Sequence, residues 1–150
     1  MSDKDAIPYL IDLASNPGQL QTVEQIAARK LLDYDGEVYP SDGCAITLSI
    51  LLQQAGISVP DTFQAIELAR ILKEVRNWTV IKVGDQHDGD IGSTCGTTPD
   101  HGQDHIYLVL RALNIDEMVI ADNQSNQPHF RYASGIGGKT PTKYFLRAPE

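Results

Sequence analysis

Cysteine, basic charge and long apolar runs are all scarce in this chain, and each scarcity removes a class of function. Two cysteines in 150 residues, Cys44 and Cys95, do not make a disulfide framework, and neither has the paired spacing of a structural zinc site. A reducing compartment is the expectation. Twelve Lys and Arg against twenty Asp and Glu leave a formal charge of −8, which argues against a nucleic-acid partner or an anionic membrane held by a broad basic patch. No apolar run approaches the length needed to span a bilayer. The start, Met1-Ser-Asp-Lys-Asp-Ala-Ile-Pro8, lacks the basic segment and continuous apolar core of a secretion signal. A protein made in the cytoplasm is expected, and any role outside the cell would need a route other than a cleaved signal. The length, with 41% hydrophobic residues, suits one domain over residues 1–150.

What is present is organised around Tyr39-Pro-Ser-Asp-Gly-Cys44-Ala-Ile-Thr-Leu-Ser-Ile-Leu-Leu-Gln-Gln-Ala-Gly56. Ser41 or Asp42 supplies the oxygen of a helix N-cap and Gly56 the stop. Between them the residues are apolar nearly all round, the mark of a helix buried on most sides. Cys44 therefore falls in the first turn of a central helix, where unpaired N–H groups and the dipole favour a thiolate. A small buried hydrophobe is the plainer alternative for the same cysteine.

Before this stretch, residues from about Asp5 to Ala14 read as a short helix ended by Asn16-Pro17-Gly18, and Thr22-Val-Glu-Gln25 reads as a capping box opening a second helix to about Leu32. After it, Asp61 or Thr62 caps a helix through about Val75. From Trp78 the period changes to short β-rich runs: Trp78–Val83, His105–Ala112, Met118–Ala121, His129–Tyr132 and Thr142–Arg147. Helices over about 4–75 and strands over about 78–148 make an α+β domain with an antiparallel sheet. Asn114-Ile-Asp-Glu117 fits the turn of a hairpin that brings His105 near the residues after Ala121.

A cysteine nucleophile needs a base within hydrogen-bond reach and a third group to orient it. Of the four histidines, His105 opens the most apolar strand, whereas His87 and His101 fall in the loop from Gly84 to Asp104, and His129 starts a more polar run. Either Asp122 or Asn123 can accept the imidazole N–H. Side chains alternate along a strand, so only one of the two faces His105, and the register decides which.

These parts, in this order, resemble the NlpC-like and CHAP-like cysteine peptidases and amidases of the papain-fold group. The matching residues are Asp42-Gly-Cys44-Ala, Gly89-Asp-Ile91, Asp104-His105-Ile-Tyr-Leu-Val109 and Ile120-Ala-Asp-Asn123. The glycine before Cys44, the Asp before His105 and the long polar loop over 92–103 depart from the family pattern. The resemblance implies a papain-like fold, a nucleophile helix packed on the sheet, and Cys44, His105 and Asn123 as nucleophile, base and orienter, with Asn123 preferred to Asp122 on this ground alone. It also implies acyl transfer, with a bacterial peptidoglycan or peptide amide as substrate and no cofactor or metal. The oxyanion would sit at the Cys44 N–H, with the second donor unassigned and Tyr39 a candidate for it; Asp42 is a further candidate for the oxyanion or substrate site. A toxin role would add an immunity or inhibitor protein as partner.

Two rival readings follow from other residues. Asp85-Gln-His87-Asp88-Gly-Asp90 and the donors from Cys95 to His105 suggest a metal site, although a solvated acidic loop explains them more simply. A papain-fold binding module without turnover is the other. Cys95 is expected in an exposed loop, within reach of Cys44 for a disulfide under oxidation. Lys139, Lys143 and Arg147 read as ordinary surface charge, and Tyr107 and Tyr132 as sheet packing.

Overall fold

The computed structural model describes residues 2–35, 43–100 and 103–150. Among them four α-helices precede and pack against a six-stranded antiparallel sheet: α1 Asp3–Ser15, α2 Pro17–Asp35, α3 Gly43–Gln54, α4 Ala65–Arg70, then β1 Thr79–Ile81, β2 Ile91–Ser93, β3 Ile106–Ala112, β4 Glu117–Ala121, β5 His129–Tyr132 and β6 Tyr144–Arg147. The strand order is β1-β6-β2-β3-β4-β5. Among the described residues no helix is long and apolar enough to cross a membrane.

The first helices begin where short polar side chains can cap them. Ser2 Oγ accepts from the Asp5 N–H at 3.1 Å and Asp5 accepts from the Ser2 N–H, a reciprocal capping box. Asn16 Oδ1 accepts from the Gln19 N–H at 3.1 Å, so Asn16-Pro17-Gly18 both ends α1 and starts α2. That moves the second helix back from the expected box at Thr22, whose hydroxyl instead bonds the Gly18 carbonyl one turn earlier. Pro17 suits this first position because its missing N–H would have had no intrahelical partner. Leu20, Val23, Ala27 and Leu31 form the buried stripe of α2.

α3 is buried from Gly43 to Leu52. Its polar residue Ser49 is satisfied by the Ala45 carbonyl one turn back, at 2.8 Å. Gly56 takes a left-handed φ of 97°, and the Ile57 N–H reaches back to the Leu52 carbonyl, the closure expected of a glycine stop. The next helix starts later than Asp61 or Thr62 because both oxygens are committed elsewhere. Asp61 takes Lys30 and Gln53, and the Thr62 hydroxyl bonds the Pro60 carbonyl. Phe63, left outside the helix, stacks on Tyr34 of α2 with centroids 4.0 Å apart. Beyond Arg70 the helix widens into a π-turn over Ile71–Val75, which rotates Val75 to the surface. Asp3 then ties the end of this segment to α1, accepting two bonds from Arg76 and one from the Trp78 indole.

The sheet contains one strand beyond those read from sequence. β2 lies between β6 and β3 and is wholly buried, although its Ile91-Gly-Ser93 has neither the length nor the alternation of a strand. Gly92 pairs with Tyr107 across the ladder, and a Cβ there would run into the Tyr107 ring. The close approach requires glycine. The β3–β4 hairpin forms at Asn114, whose side chain accepts from the Asp116 and Glu117 N–H groups.

The sheet has two differently filled faces. Ile106, Leu108, Leu110 and Ala121 join the helices in the main core, whereas Tyr107, Val109, Met118, Ile120 and Phe145 form a second cluster on the opposite side. Leu108 pairs with Ala121 and Val109 with Ile120, before the register shifts between Val109 and Arg111, so toward the His105 end odd positions of β3 share a face with even positions of β4.

Candidate functional site

The register settles what the sequence left open. Continuing the β3–β4 pairing places Asp122 on the face of Tyr107 and Asn123 on the helix face. His105 stacks on Tyr107, with centroids 5.8 Å apart, and its Nε2 lies 2.7 Å from Asp122 Oδ2. Asp122, not Asn123, is the partner of His105, and the preference for Asn123 as orienter is corrected on that geometry.

Asn123 turns toward the start of α3. Its Nδ2 is 3.0 Å from where a Cβ on residue 43 would stand, while its buried Oδ1 has no hydrogen-bond partner among the described residues. The missing side chain of Gly43 is therefore what lets the Asn123 amide approach the helix one residue before Cys44.

Asp122 is almost wholly buried, at 3% exposure. Its Oδ1 accepts from the Gln124 N–H at 2.9 Å and lies 2.8 Å from His129 Nε2. Burial alone would push the carboxyl pKa up, but the hydrogen bonds and charge of His105 and His129 outweigh it and hold the group below the usual carboxylate range. Asp122 is thus an ionised carboxylate, an acceptor only, and each imidazole nitrogen facing it carries a hydrogen. His129 was assigned no role from sequence. A histidine on the strand next to a candidate acid, at a position of matching face, is the signal that would have found it. Thr94 fixes the backbone of His105: its Oγ1 accepts from the His105 N–H at 2.8 Å and its own N–H donates to the His105 carbonyl at 3.0 Å.

Cys44 sits on the helix side. Its sulfur lies 4.0 Å from the Asp104 carbonyl, the residue preceding His105, and among the described residues no hydrogen bond joins it to the His105 ring. The expected activation by the helix N-terminus is also corrected. Burial pushes the thiol pKa up to about 12, and the backbone N–H groups of Ile106 and, less, of Ala45 at the helix start only partly oppose it. Desolvation of a thiolate at 2% exposure outweighs both backbone hydrogen bonds, the one from the helix end included. The resting group is a neutral thiol. A pocket of about 10 Å³, room for no more than about one water, borders it between Gln64 and Ile66 on one side and Pro99, Asp100 and Asp104 on the other.

Cys95, expected in an exposed loop, is buried, with burial raising its pKa to about 11; both cysteines are free thiols. The acidic residues offered as metal donors are engaged within the protein. Asp90 is paired twice with Arg147 and accepts from the His87 N–H, while Asp88 accepts from the Ala112 N–H. Among the described residues no three His, Cys, Asp or Glu side chains gather as metal ligands. Of the basic residues near the C-terminus, Arg147 is accounted for by Asp90, and Lys139 reaches Gln124. Tyr107 is sheet packing, wholly buried with its hydroxyl 2.6 Å from Thr142 Oγ1 and the Arg131 guanidinium 5.0 Å over its ring. Tyr39, Ser41, Asp42 and His101 lie outside the described residues.

Comparison of the chain with protein-family models, with curated proteins and with solved structures gives no match.

Proposed function

We propose that the protein is a papain-like cysteine amidohydrolase, with Cys44 as nucleophile, His105 as base and acid, and Asp122 as the group that orients His105. The observation that carries this reading is the hydrogen bond between His105 and the buried Asp122 carboxylate that follows β4, with the carbonyl of Asp104, the residue before His105, 4.0 Å from the Cys44 sulfur. A buried carboxylate–imidazole pair is a costly device for packing alone, and it sits beside the first turn of the cysteine helix. Since Nε2 is committed to Asp122, proton exchange falls to Nδ1.

The chemistry that follows starts from a thiol rather than a thiolate. The small pocket between Ile66 and Asp104 must widen for a substrate carbonyl to meet Cys44, and His105 takes the thiol proton as sulfur attacks, since catalytic hydrogen bonds tighten in the substrate complex. His105 then protonates the leaving amine, and water activated by the same ring releases the acyl group. The oxyanion is stabilised by the Cys44 N–H at the helix start. The substrate class, a peptide or peptidoglycan amide, follows from the family resemblance; an immunity or inhibitor protein is the partner proposed for a toxin role.

The burial of Cys44 and its lack of a bond to His105 favour a second reading, a binding module on the same scaffold without turnover. Incubation of wild type, Cys44→Ala and His105→Ala with peptidoglycan fragments separates the two. Hydrolysis expects new amino groups with wild type only, and an acyl adduct on Cys44 when His105 is removed or turnover is quenched. Intact fragments with no adduct, but with binding retained by all three proteins, would replace the enzyme by the module.

A further inference from the structure

Asp122 carries two imidazoles. His129, at the start of β5 on the same face of the sheet as His105, points Nε2 at Asp122 Oδ1 from 2.8 Å, while His105 takes Oδ2 from 2.7 Å. The carboxylate side chain is fully enclosed, the His105 side chain nearly so, and that of His129 is 26% exposed. His129 is faced by Asp122 from β4 and Glu24 from α2, with His105 of β3 beyond the shared carboxylate; Arg131 follows it along β5 and lies over Tyr107.

The Gln124 N–H also reaches Oδ1, but that bond is a local turn contact two residues away, made wherever the chain turns. It sets where the carboxyl group lies and leaves its plane free to tilt. A donor from a neighbouring strand, held by the β4–β5 ladder that pairs His129 with Ile120, removes that freedom.

We propose that His129 is a positioning residue: by occupying one oxygen of Asp122 it fixes the carboxylate plane, so that the other oxygen keeps His105 in the Nε2–H form with the lone pair on Nδ1. The inference deepens the amidohydrolase reading and rests on it for its consequence in turnover, because Nδ1 is the nitrogen that would receive the thiol proton. The hydrogen-bond geometry itself requires no turnover.

The test compares wild type, His129→Gln and His129→Ala by long-range proton–nitrogen NMR of the histidine rings at about pH 8.5, where imidazole is ordinarily neutral. Glutamine keeps an N–H donor that can reach Asp122. Wild type and His129→Gln are expected to show His105 protonated on Nε2 alone. His129→Ala is expected to raise the Nδ1–H form by roughly tenfold, the ratio that follows from losing about one charge-assisted hydrogen bond's worth of orientation. An unchanged His105 tautomer in a folded His129→Ala protein, or failure of His129→Gln to restore it, would overturn the proposal. The measurement uses no substrate, so its outcome is independent of whether hydrolysis is found. Where hydrolysis is found, kcat should fall in His129→Ala at unchanged KM and return in His129→Gln.

Discussion

The two faces of the sheet are built for different ends, although they share every strand. Toward the helices, Ile106, Leu108, Leu110 and Ala121 join Ile46, Ile50 and Leu51 of α3 in the main apolar core. Away from them, Tyr107, Val109, Met118, Ile120 and Phe145 give an apolar floor, but the same face carries His105, Asp122, His129 and Arg131 toward its edge. Strand alternation divides neighbours that the sequence writes side by side: Asp122 goes to the histidines and Asn123 to Gly43. The thiol and the imidazole thereby belong to opposite faces and meet only at the strand end, through the backbone around Asp104. One face supplies stability, and the other holds the groups that exchange protons.

The largest effect is expected where the charged face is broken at its hub. Asp122→Ala leaves two imidazoles facing a space that held a carboxylate, and a loss of about 3–5 kcal/mol is expected, as for breaking a buried pair by removing one partner. Urea denaturation at neutral pH measures it. The acid response adds a sign. A carboxyl whose folded pKa lies below its unfolded value contributes stability that is full above the unfolded pKa and lost as pH falls through the folded one. Wild type should therefore lose stability on acidification below about pH 4, and Asp122→Ala should lose less over the same window. Equal acid limbs in both proteins would mean that the histidines do not hold this carboxylate.

Breaking the helix face should instead cost stability and leave the histidine cluster intact. Leu51 is wholly buried in α3, and Leu51→Ala is expected to cost about 3 kcal/mol through lost burial and a residual cavity. The His105 and His129 ring signals in the folded fraction should not move. If they do, the faces are coupled through the sheet, and the division drawn above fails.

How much of this division was legible depended on length of pattern. α3 and its glycine stop, the β3–β4 hairpin and His129–Tyr132 stand where the residues placed them, because a long apolar run and a turn residue leave few alternatives. β2 did not show because three residues around a glycine carry no period; its place is decided by the Tyr107 ring that needs Gly92 opposite. The late start of α4 was hidden because Asp61 and Thr62, good caps by type, spend their oxygens on Lys30, Gln53 and Pro60. At the site, Cys44 and His105 could be named singly from their neighbours. The choice between Asp122 and Asn123 required the register, and the thiol's acidity required its burial, neither of which is a local property of sequence.

A smaller effect tests how Asn123 fills the other face. Gly43→Ala would bring a methyl group to 3.0 Å from Asn123 Nδ2 and 3.7 Å from a Leu31 methyl, tight enough that the amide must shift. A loss of about 1 kcal/mol is expected, relieved when Asn123 is also truncated to Ala, so the double-mutant cycle should show coupling of at least about 0.5 kcal/mol. Additive losses would show that Asn123 does not press on the start of α3.

The smallest effect is expected where the faces approach each other. Glu24 comes from α2, on the helix side, yet its charge is opposed by Asp122 and eased by His129 from the far face; burial is the larger cause, and its pKa is raised to about 7. Its buried Oε1 has no hydrogen-bond partner among the described residues. For an acid whose folded pKa lies above its unfolded value, ionisation opposes folding: the penalty is absent below the unfolded pKa, near 4.3, grows as pH rises, and is complete above the folded value. Glu24→Gln should therefore match wild type in stability at pH 4 and exceed it at pH 8, with thermal melts at the two pH values as the measurement. Because the carboxyl is part exposed, solvent screening keeps the gain modest. Repeating the pair in an Asp122→Asn background sharpens the comparison: with the neighbouring charge removed, the gain at pH 8 should shrink, since that charge adds to the effect of burial. A gain that stayed the same would assign the whole shift to burial, and the two faces would then be electrostatically separate even at the edge where they come closest.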